Sequence, residues 1–363
     1  MGISMGWPHY IEQHEAVDSQ VEQILDDDSD ASDPAPTGPV RLTVPAEHGG
    51  WRLDRALAAS LPSVSRSRIQ VWISQGGARI NSTGARASDR VAPGDQVEID
   101  VREPAEAVAF KPEPMQLAIV HEDELLIVID KPPGLVVHPG AGNWSGTLLN
   151  GLLAHRSELS VVPRAGIVHR LDAGTSGLMV VAKTVSAQLD LVRQLQQRIV
   201  VREYWAIATG IAPDAGTIDA ALSRDRRNRL RFQVSRRADA RFARTRYWRI
   251  AVSEPAAGQL GVALSWLACR LDTGRTHQIR VHLESIGHPL VGDPLYSKRR
   301  PAAGGAALGL KRQALHACRL SLRHPGHGRT LAWFRPPPDD LRALMRSVGF
   351  EPDRPVDVFG LDR

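Results

Sequence analysis

Short strand-like runs recur from residue 117 to residue 345, and only two convincing helical patterns lie between them. The helical patterns cover residues 186–198 and 276–286. The strand-like runs cover residues 117–121, 125–129, 177–183, 200–209 and 262–271. This strand-rich, helix-poor pattern favours a mixed, largely antiparallel sheet of the α+β class over a doubly wound parallel sheet. We therefore predict one large α+β domain over residues 117–345.

A smaller module precedes this domain, and we place it at residues 46–102. Its two helical patterns cover residues 52–61 and 66–74, and its two strand patterns cover residues 78–81 and 96–101. Ser65 is a suitable N-cap for the second helix. Residues 103–116 contain several prolines and are predicted to form a linker.

Residues 1–40 form an acidic segment. They contain nine acidic residues, several prolines and neither lysine nor arginine, a composition that cannot bury enough apolar surface to offset its ordering entropy. We expect residues 1–45 to form a disordered tail and residues 346–363 to form a C-terminal tail.

No apolar run approaches the roughly 18 residues of a membrane span, and two cysteines are too few for a disulfide framework. These features predict a cytoplasmic protein without a membrane partner.

The rest of the chain is strongly basic. All 45 lysines and arginines but only 31 of the 40 acidic residues lie in residues 41–363, which gives this part a net charge of +14. Forty of the cations are arginines, which a GC-rich codon bias could explain. Arginine also suits phosphate contact and base stacking better than lysine does. Residues 224–249 are the richest stretch, with eleven arginines, two acids and four interleaved aromatics. A solvated strand face would explain this stretch, but an RNA-binding surface fits it better.

Two stretches contain residues that could act in catalysis. Asp172 stands at the entry to a glycine-bearing loop that precedes a predicted strand. Taken alone, this carboxylate is more simply explained by a turn or capping role. Arg275 stands at a strand-to-helix corner, from which its guanidinium could extend over the edge of the sheet. His277 and His282 are five residues apart, which is not the spacing of a paired metal site, so no metal is expected.

The two stretches occur together, in this order, on the strand-rich domain. They read His169-Arg170-Leu171-Asp172 with Thr175-Ser176-Gly177, and Gly274-Arg275-Thr276-His277-Gln278-Ile279-Arg280. They resemble the signature stretches of the RNA pseudouridine synthases, in the branch of the ribosomal large-subunit types C and D, with type D the most similar. Further matches are Asp130-Lys131-Pro132, Val137-His138-Pro139-Gly140, Arg202-Glu203-Tyr204, Gly292-Asp293 with Tyr296, and Leu315-His316-Ala317. The small module is similar to RNA-binding domains of the S4 type in Arg52-Leu53-Asp54 and Ser65-Arg66-Ser67-Arg68.

The resemblance implies the pseudouridine synthase fold and the isomerisation of uridine in RNA. It implies that Asp172 is the catalytic carboxylate, acting as a nucleophile at C1′ or as a base at C2′, and the sequence leaves both routes open. Arg275 is implied as its cationic partner, and a cation within about 4–6 Å would keep the carboxylate ionised. Tyr204 is implied to stack on the target base. Because the isomerisation needs no redox change and no energy input, no cofactor is expected.

Other residues are expected to support the site or to bind RNA. Arg170 matches the position that fills the space left by a flipped-out uridine, although it could equally hold a phosphate. Residues expected to support the active site are His169, Lys183, Thr175 and Ile279. Residues expected to contact RNA are Arg66, Arg68, Arg79, Arg86, Arg224, Arg226, Arg227, Arg229 and Arg231.

The function implied is the isomerisation of specific uridines in 23S ribosomal RNA, with the hairpin loop of helix 69 as the common target of type D. The alternatives are a type C specificity, another structured RNA, or a non-catalytic RNA-binding protein of ribosome assembly. Asp172, Tyr204 and Arg275 occur together, which argues against a binding protein. A hydrolase would need a second acid to activate water, and the sequence offers no candidate. We expect a monomer that acts on ribosomal RNA or on the pre-ribosomal large subunit.

Overall fold

The computed structural model describes residues 38–353 except 63, 102–108, 141, 254–261 and 297–308, and it also describes residue 356. The chain divides into two compact units, Met1–Pro104 and Ala105–Arg363. Residues 1–37, where a disordered tail is predicted, lie outside the described residues, as does half of the predicted C-terminal tail. Phe350, within that predicted tail, is buried in a core cluster of the large unit, so the ordered part of the chain extends beyond residue 345.

The small unit packs two helices on a four-stranded antiparallel sheet. Its elements are β1 (Gly38–Thr43), α1 (Leu53–Ser60), α2 (Arg66–Ser74), β2 (Ala78–Ile80), β3 (Thr83–Gly84) and β4 (Gln96–Val101). The strands lie in the order β1-β4-β2-β3. The Ser65 side chain caps α2 by accepting a hydrogen bond from the backbone N–H of Arg68 at 3.4 Å. Leu53 and Leu57 of α1 meet Val97 and Ile99 of β4 in the core of this unit. The predicted helices and main strands are therefore present.

Strand β1 corrects the predicted end of the tail. Residues 38–45 belong to the tail in the sequence prediction, but β1 pairs with β4 along its whole length, from Gly38 opposite Val101 to Thr43 opposite Gln96. Val40, Leu42 and Val44 alternate toward the core. An apolar side chain at every second position lets this short segment bury enough surface to be ordered.

The large unit is built on a nine-stranded sheet. Its strands are β5 (Ile119–Glu122), β6 (Leu126–Lys131), β7 (Ser176–Ala182), β8 (Val201–Thr209), β9 (Ala215–Asp219), β12 (Arg244–Val252), β13 (Leu264–Leu271), β14 (Leu315–Arg323) and β15 (Thr330–Phe334), while β10 (Leu222–Arg224) and β11 (Phe232–Val234) form a separate hairpin. The order is β5-β6-β7-β14-β8-β13-β12-β9, and β15 pairs with β14. Among the described strands, β7 and β14 form the one parallel pair. The predicted mixed, largely antiparallel α+β sheet is confirmed.

Four α-helices accompany this sheet in the described residues. They are α3 (Leu148–His155), α4 (Val185–Gln196), α5 (Gln278–Ser285) and α6 (Asp339–Ser347). The two helices predicted between the strands correspond to α4 and α5. Sequence periodicity missed α3 because residues 148–153 are all buried, so the helix has no polar face that would give a 3.6-residue pattern. None of the described helices is long and apolar enough to cross a membrane.

The large sheet is covered on both faces, and β8 shows how its side chains divide. Tyr204, Ala206 and Ala208 point into one core cluster, while Trp205 and Ile207 point into another on the opposite face. This alternation is the one predicted from the sequence of β8. It places Tyr204 and the segment that leads into β7 on the same side of the sheet.

Gly177 allows the segment before β7 to approach the centre of the sheet. It pairs with Ala317 of β14 and has a φ of +113°. A Cβ atom at this position would lie 2.2 Å from the carbonyl oxygen of Ala317. Only glycine fits this conformation and this contact, so the close parallel pairing fixes the start of β7 and the loop that precedes it.

Candidate active site

Asp172 lies in the loop immediately before β7, and hydrogen bonds to the backbone carbonyls of this loop hold it in place. The Thr175 N–H donates to the Asp172 carbonyl at 2.9 Å, and the Gly134 N–H donates to the Ala173 carbonyl at 2.8 Å. The buried Lys131 ammonium also donates to the Ala173 carbonyl, at 3.1 Å. The backbone of the Asp172 loop is therefore held by its own turn, by the end of β6 and by the segment that follows β6.

Lys131 is a supporting residue to which the sequence prediction gave no role. Its Nζ atom donates to the carbonyls of Pro132 and Leu135, both at 2.8 Å, as well as to that of Ala173. Burial, followed by the nearby charge of Arg312, lowers the pKa of Lys131 to about 7, and Asp172 opposes this shift. The match at Asp130-Lys131-Pro132 was the available sequence signal for this role.

The other side of the loop is fixed by Arg312 and Gln313. Arg312 donates to the Gly174 carbonyl at 3.0 Å and forms a two-pronged ion pair with Asp340. Gln313 donates from Nε2 to the Thr175 hydroxyl at 3.0 Å. A Cβ at Gly174 would lie 2.6 Å from Oε1 of Gln313, so the loop approaches this side chain closely. Thr175 thus anchors the loop to Gln313, and its supporting role in the active site stays a prediction.

Arg280 is the cation that contacts the Asp172 carboxylate. Its Nη1 donates to Oδ2 of Asp172 at 2.8 Å, while Nε and Nη2 donate to Asp293 at 2.7 and 3.0 Å. The side chains of Arg280 and Asp293 are 4% and 0% exposed. A planar guanidinium can bind two carboxylates at once in this way.

Arg275 does not pair with Asp172, so the predicted pairing is wrong. Arg275 is exposed and donates from Nε to the Phe242 carbonyl at 3.2 Å. It does line the same cleft as Asp172. The Gln278 carboxamide shapes this corner, accepting from the backbone N–H of Arg275 at 3.0 Å and donating to the Arg244 carbonyl at 2.9 Å. The corner therefore directs Arg275 outward, whereas α5 brings Arg280 to the carboxylate one turn later.

His277 forms a second contact with the carboxylate region. Its φ of +58° lies in the left-handed region at the start of α5. Its Nε2 is 4.0 Å from Oδ2 of Asp172, and its Nδ1 is 2.8 Å from the Tyr296 hydroxyl. That hydroxyl already accepts the Phe232 N–H at 2.9 Å, so its own proton is available for Nδ1 of His277. The neutral ring then has its proton on Nε2, facing Asp172. Burial is the main cause of the lowered pKa of His277.

Tyr296 is enclosed between two guanidinium groups. The Cζ atoms of Arg231 and Arg280 each lie 4.9 Å from the centroid of its ring. Arg231 also pairs with Glu284 at 2.8 Å. Tyr296 therefore contacts Arg231 and Phe232 at the β10–β11 hairpin. It also contacts Arg280 and His277, the two groups beside the Asp172 carboxylate. The match at Gly292-Asp293 with Tyr296 was the sequence signal for Tyr296 and Asp293.

Tyr204 lies in the cleft that contains Asp172. The side chain is 4% exposed, and burial is the main cause of the raised pKa of its hydroxyl. Ile279 lines the same cleft, as the supporting role predicted for it requires, and the exposed Arg170 lies at its rim. The cleft thus combines a carboxylate, an aromatic ring and apolar walls. In the described residues, no group of three or more His, Cys, Asp or Glu side chains could hold a metal ion.

His169 and Lys183 have different positions relative to Asp172. Burial, followed by the charge of Arg202, lowers the pKa of His169 to about 3, so its neutral Nε2 accepts the Val180 N–H at 3.1 Å. This bond braces the segment before Asp172 against β7. Lys183 follows the far end of β7, about 20 Å along the strand, where it pairs with Glu122 at 3.1 Å. The structure therefore shows no contact from Lys183 to the Asp172 loop.

The arginine-rich stretch at residues 224–249 divides into paired and unpaired side chains. Those paired with acids are Arg231, Arg237, Arg244, Arg246 and Arg249. Those that are exposed and have no ion pair within the described ranges are Arg224, Arg226, Arg227, Arg229, Arg236 and Arg241. Tyr247, one of the interleaved aromatics, is part of the core. We call residues 222–234, which comprise β10, β11 and their connection, the arginine hairpin.

The predicted RNA contacts of the small unit also differ in their surroundings. Arg66 is paired with the buried carboxylate of Asp54 at 3.0 Å. Although burial raises the pKa of Asp54, hydrogen bonds from Arg52, Gln70 and Arg66 lower it to about 2. Arg66 therefore has a structural partner within its own unit. The side chains of Arg79 and Arg86 are exposed, and that of Arg68 is half-buried.

Comparison with known proteins identifies relatives for both units. Residues 125–285 match the family model described as RNA pseudouridylate synthase, and residues 51–97 match the S4 domain. The ribosomal large subunit pseudouridine synthase D of Neisseria meningitidis serogroup A is 48% identical over 337 residues, which are 91% of this chain and 87% of that protein. The protein of the same name from Nitrosomonas europaea is 48% identical over 311 residues, or 85% and 88% of the two chains.

A solved structure is also similar. Human RNA pseudouridylate synthase domain containing 4 is 25% identical, with a TM-score of 0.48 over 64% of this chain and 92% of that chain. The sequence relatives match over more than four fifths of both proteins, and the family model covers Asp172, Tyr204 and Arg280. The chain belongs to the RNA pseudouridine synthase family, whose members are isomerases that convert uridine to pseudouridine in RNA.

Proposed function

We propose that this chain isomerises uridines of 23S ribosomal RNA and that its target is the hairpin loop of helix 69. Two relatives that are 48% identical to it are named ribosomal large subunit pseudouridine synthase D. The observation that carries the proposal within the molecule is the ion pair of Asp172 with Arg280, in a cleft that also contains Tyr204. The S4 domain and the exposed arginines of the arginine hairpin support a structured RNA as the substrate.

Asp172 is the proposed reacting group. Arg280 occupies its Oδ2, whereas Oδ1 accepts no hydrogen bond from the described residues, so Oδ1 is available to the ribose. On the nucleophilic route, Oδ1 bonds to C1′ as the C1′–N1 bond breaks and its electron pair leaves with the uracil. The base turns, C5 bonds to C1′ as the carboxylate departs, C5 loses its proton and N1 gains one. On the alternative route, Oδ1 removes the C2′ proton as the C1′–N1 bond breaks, which leaves a C1′=C2′ double bond and the uracil anion. After the base turns, C5 bonds to C1′ as Asp172 returns the proton to C2′, and C5 then loses its proton while N1 gains one.

Tyr204 and Arg170 are proposed to handle the base. A uridine within a stem-loop must leave its stack to reach Asp172, at a cost of a few kcal/mol. Tyr204 stacks on the extruded uracil in the cleft, and its hydroxyl can assist removal of the C5 proton. The exposed Arg170 at the rim takes the place of the extruded base. Arg275, also at the cleft, is proposed to bind the RNA backbone.

The test is to incubate the purified protein with 23S RNA from a strain that lacks helix 69 pseudouridines. Pseudouridines are then mapped by carbodiimide-dependent primer extension. New stops in the helix 69 loop are expected with the unaltered protein and with Glu158→Gln, in which an exposed carboxylate is removed. No stops are expected with Asp172→Asn. Stops confined to uridines outside helix 69 would contradict the proposed target. Stops that persist with Asp172→Asn would overturn the role of this residue.

A further inference from the structure

Arg202 is a buried arginine for which the described part of the chain supplies no hydrogen-bond or ion-pair partner. Three arginines are buried in the described part of the chain, namely Arg202, Arg280 and Arg319. Arg280 binds two aspartates, and Arg319 lies 3.9 Å from the Glu203 carboxylate. Arg202 is 8% exposed, and its Nε is enclosed without a hydrogen-bond partner. No hydrogen bond or ion pair to its guanidinium occurs among the described residues.

The guanidinium of Arg202 faces the active-site cleft. Arg202 lines this cleft together with Asp172 and Tyr204. It stands two residues before Tyr204 on β8, so the two side chains share one face of the sheet. A Cβ at Gly274 would lie 2.8 Å from Nη1 of Arg202, which places the guanidinium against the corner that leads to α5. It therefore lies between the strand of Tyr204 and the segment of Arg275.

A buried guanidinium without hydrogen-bond acceptors raises the free energy of the RNA-free protein. A charge removed from water loses its hydration and needs hydrogen-bond acceptors in return. The Asp172 carboxylate, which is in the same cleft, is bound by Arg280 instead. A molecule that enters the cleft can supply acceptors to the Arg202 guanidinium, which lines it.

The spacing along β8 indicates which part of that molecule is within reach. Side chains two residues apart on a strand are separated by about 6.6 Å. The exocyclic carbonyl oxygens of a uracil stacked on Tyr204 extend beyond its ring, so one of them can accept a hydrogen bond of about 3 Å from Arg202 across the remaining distance. Phosphates are strongly hydrated and remain near solvent, whereas the enclosed Nε of Arg202 lies away from it.

We propose that Arg202 donates hydrogen bonds to a carbonyl oxygen of the target uracil and stabilises the negative charge on the base when the C1′–N1 bond breaks. The inference rests on the proposed function and extends it to the leaving group. When this bond breaks, its electron pair moves to N1 and is shared with O2 and O4 of the ring. A guanidinium already fixed in the cleft meets this charge without reorganisation, so its effect is larger on the transition state than on the bound uridine.

The test compares Arg202→Gln and Arg202→Lys with the unaltered protein in single-turnover assays on the same RNA. Arg202→Gln is expected to lower the rate at saturating protein by about 100- to 1,000-fold, the effect of removing one donor to a developing anion. RNA affinity and its salt dependence should not change. Arg202→Lys, which keeps the charge, should recover at least about tenfold of this loss. Arg193→Gln, which removes an exposed arginine of α4, is the matched control and should retain the full rate.

A second measurement separates contact with the base from a role in packing. The target uridine is replaced by 2-thiouridine or 4-thiouridine, since sulfur is a weaker hydrogen-bond acceptor than oxygen. If Arg202 contacts O2 or O4, the difference in rate between Arg202→Lys and the unaltered protein should shrink for one of the two analogues. Arg202→Lys keeps a cation in the cleft, so this comparison remains possible if Arg202→Gln does not fold.

Two results would overturn the inference. Weaker RNA binding with a salt slope reduced by about 0.7, at an unchanged saturated rate, would identify a phosphate contact instead. An equal loss of rate with uridine and both thio analogues would leave Arg202 with a packing role only. Neither result affects the proposed function, which depends on whether the unaltered protein forms pseudouridine in 23S RNA.

Discussion

Arg280 binds Asp172 and Asp293 at the same time, donating from Nη1 to Oδ2 of Asp172 at 2.8 Å and from Nε to Asp293 at 2.7 Å. Asp293 is fully buried and also accepts the backbone N–H groups of Leu295 and Tyr296. It therefore fixes Arg280, and Arg280 in turn orients the carboxylate that faces the cleft.

Arg280→Gln should reduce both stability and activity. Removing one partner of a buried ion pair takes the guanidinium away from Asp293 and is expected to lower the free energy of unfolding by about 3–5 kcal/mol. Pseudouridine formation should fall by at least about 100-fold, because Asp172 loses its oriented cation. Urea unfolding and single-turnover assays measure the two effects. Arg275→Gln, at an exposed site, should change stability by less than about 0.5 kcal/mol. Equal destabilisation by both variants would contradict the assignment of Arg280 as the buried partner.

Tyr296→Phe should change the tautomer of His277. The hydroxyl accepts the Phe232 N–H and contacts Nδ1 of His277, and its loss leaves the N–H unsatisfied at a cost of about 1–3 kcal/mol. Nitrogen-15 NMR of the imidazole should show a shift away from the form protonated at Nε2. Tyr247→Phe removes another buried hydroxyl and should leave the His277 signals unchanged. Identical imidazole spectra for the unaltered protein and Tyr296→Phe would show that the hydroxyl does not set the tautomer.

Glu122 should make stability depend on acidic pH. Burial raises the pKa of Glu122, but hydrogen bonds from His155, Lys183 and Arg156 lower it to about 2, from an ordinary value of 4.5. A carboxylate whose pKa is depressed by folding stabilises the protein above its unfolded value, and this contribution is lost as the pH falls from about 4.5 toward 2. Urea midpoints of the unaltered protein and Glu122→Gln should therefore differ at pH 7, and the difference should shrink below about pH 4.5 and vanish only as the pH approaches 2. A constant difference across this range would exclude the linkage.

The arginine hairpin should contribute to the salt dependence of RNA binding. Arg226 and Arg229 are exposed and lack ion pairs among the residues that the structure describes. If each contacts a phosphate, the variant with both changed to Gln should lower the slope of log affinity against log salt by about 1.4–1.8. Filter binding at several salt concentrations measures this slope. Arg193→Gln is the control and should leave it unchanged, whereas an unchanged slope in the double variant would place the RNA elsewhere.

Much of the fold follows from local sequence patterns. The alternation in β8 predicts that Tyr204, Ala206 and Ala208 share a face, and the three side chains meet in one core. Ser65 caps α2 as predicted, since capping depends on residues within one turn. Where a segment is buried on all sides, as in α3, the local pattern does not reveal the helix. Strand β1 was missed because the short alternation of Val40, Leu42 and Val44 directly follows the acidic, proline-containing segment and was assigned to the same tail.

The active site likewise combines features that local sequence motifs predict with features that depend on distant segments. The reaction class follows from the sequence, because motifs retain the identity and order of the chemical groups. The roles of Asp172 and Tyr204 stay predictions, and the two residues line one cleft. The choice of Arg280 over Arg275 as the cation at Asp172 follows only from the tertiary structure. The left-handed turn at His277 and the buried Asp293 decide which guanidinium reaches the carboxylate. The unpartnered state of Arg202 is likewise visible only in the folded chain, since burial and hydrogen bonding depend on segments that are distant in sequence.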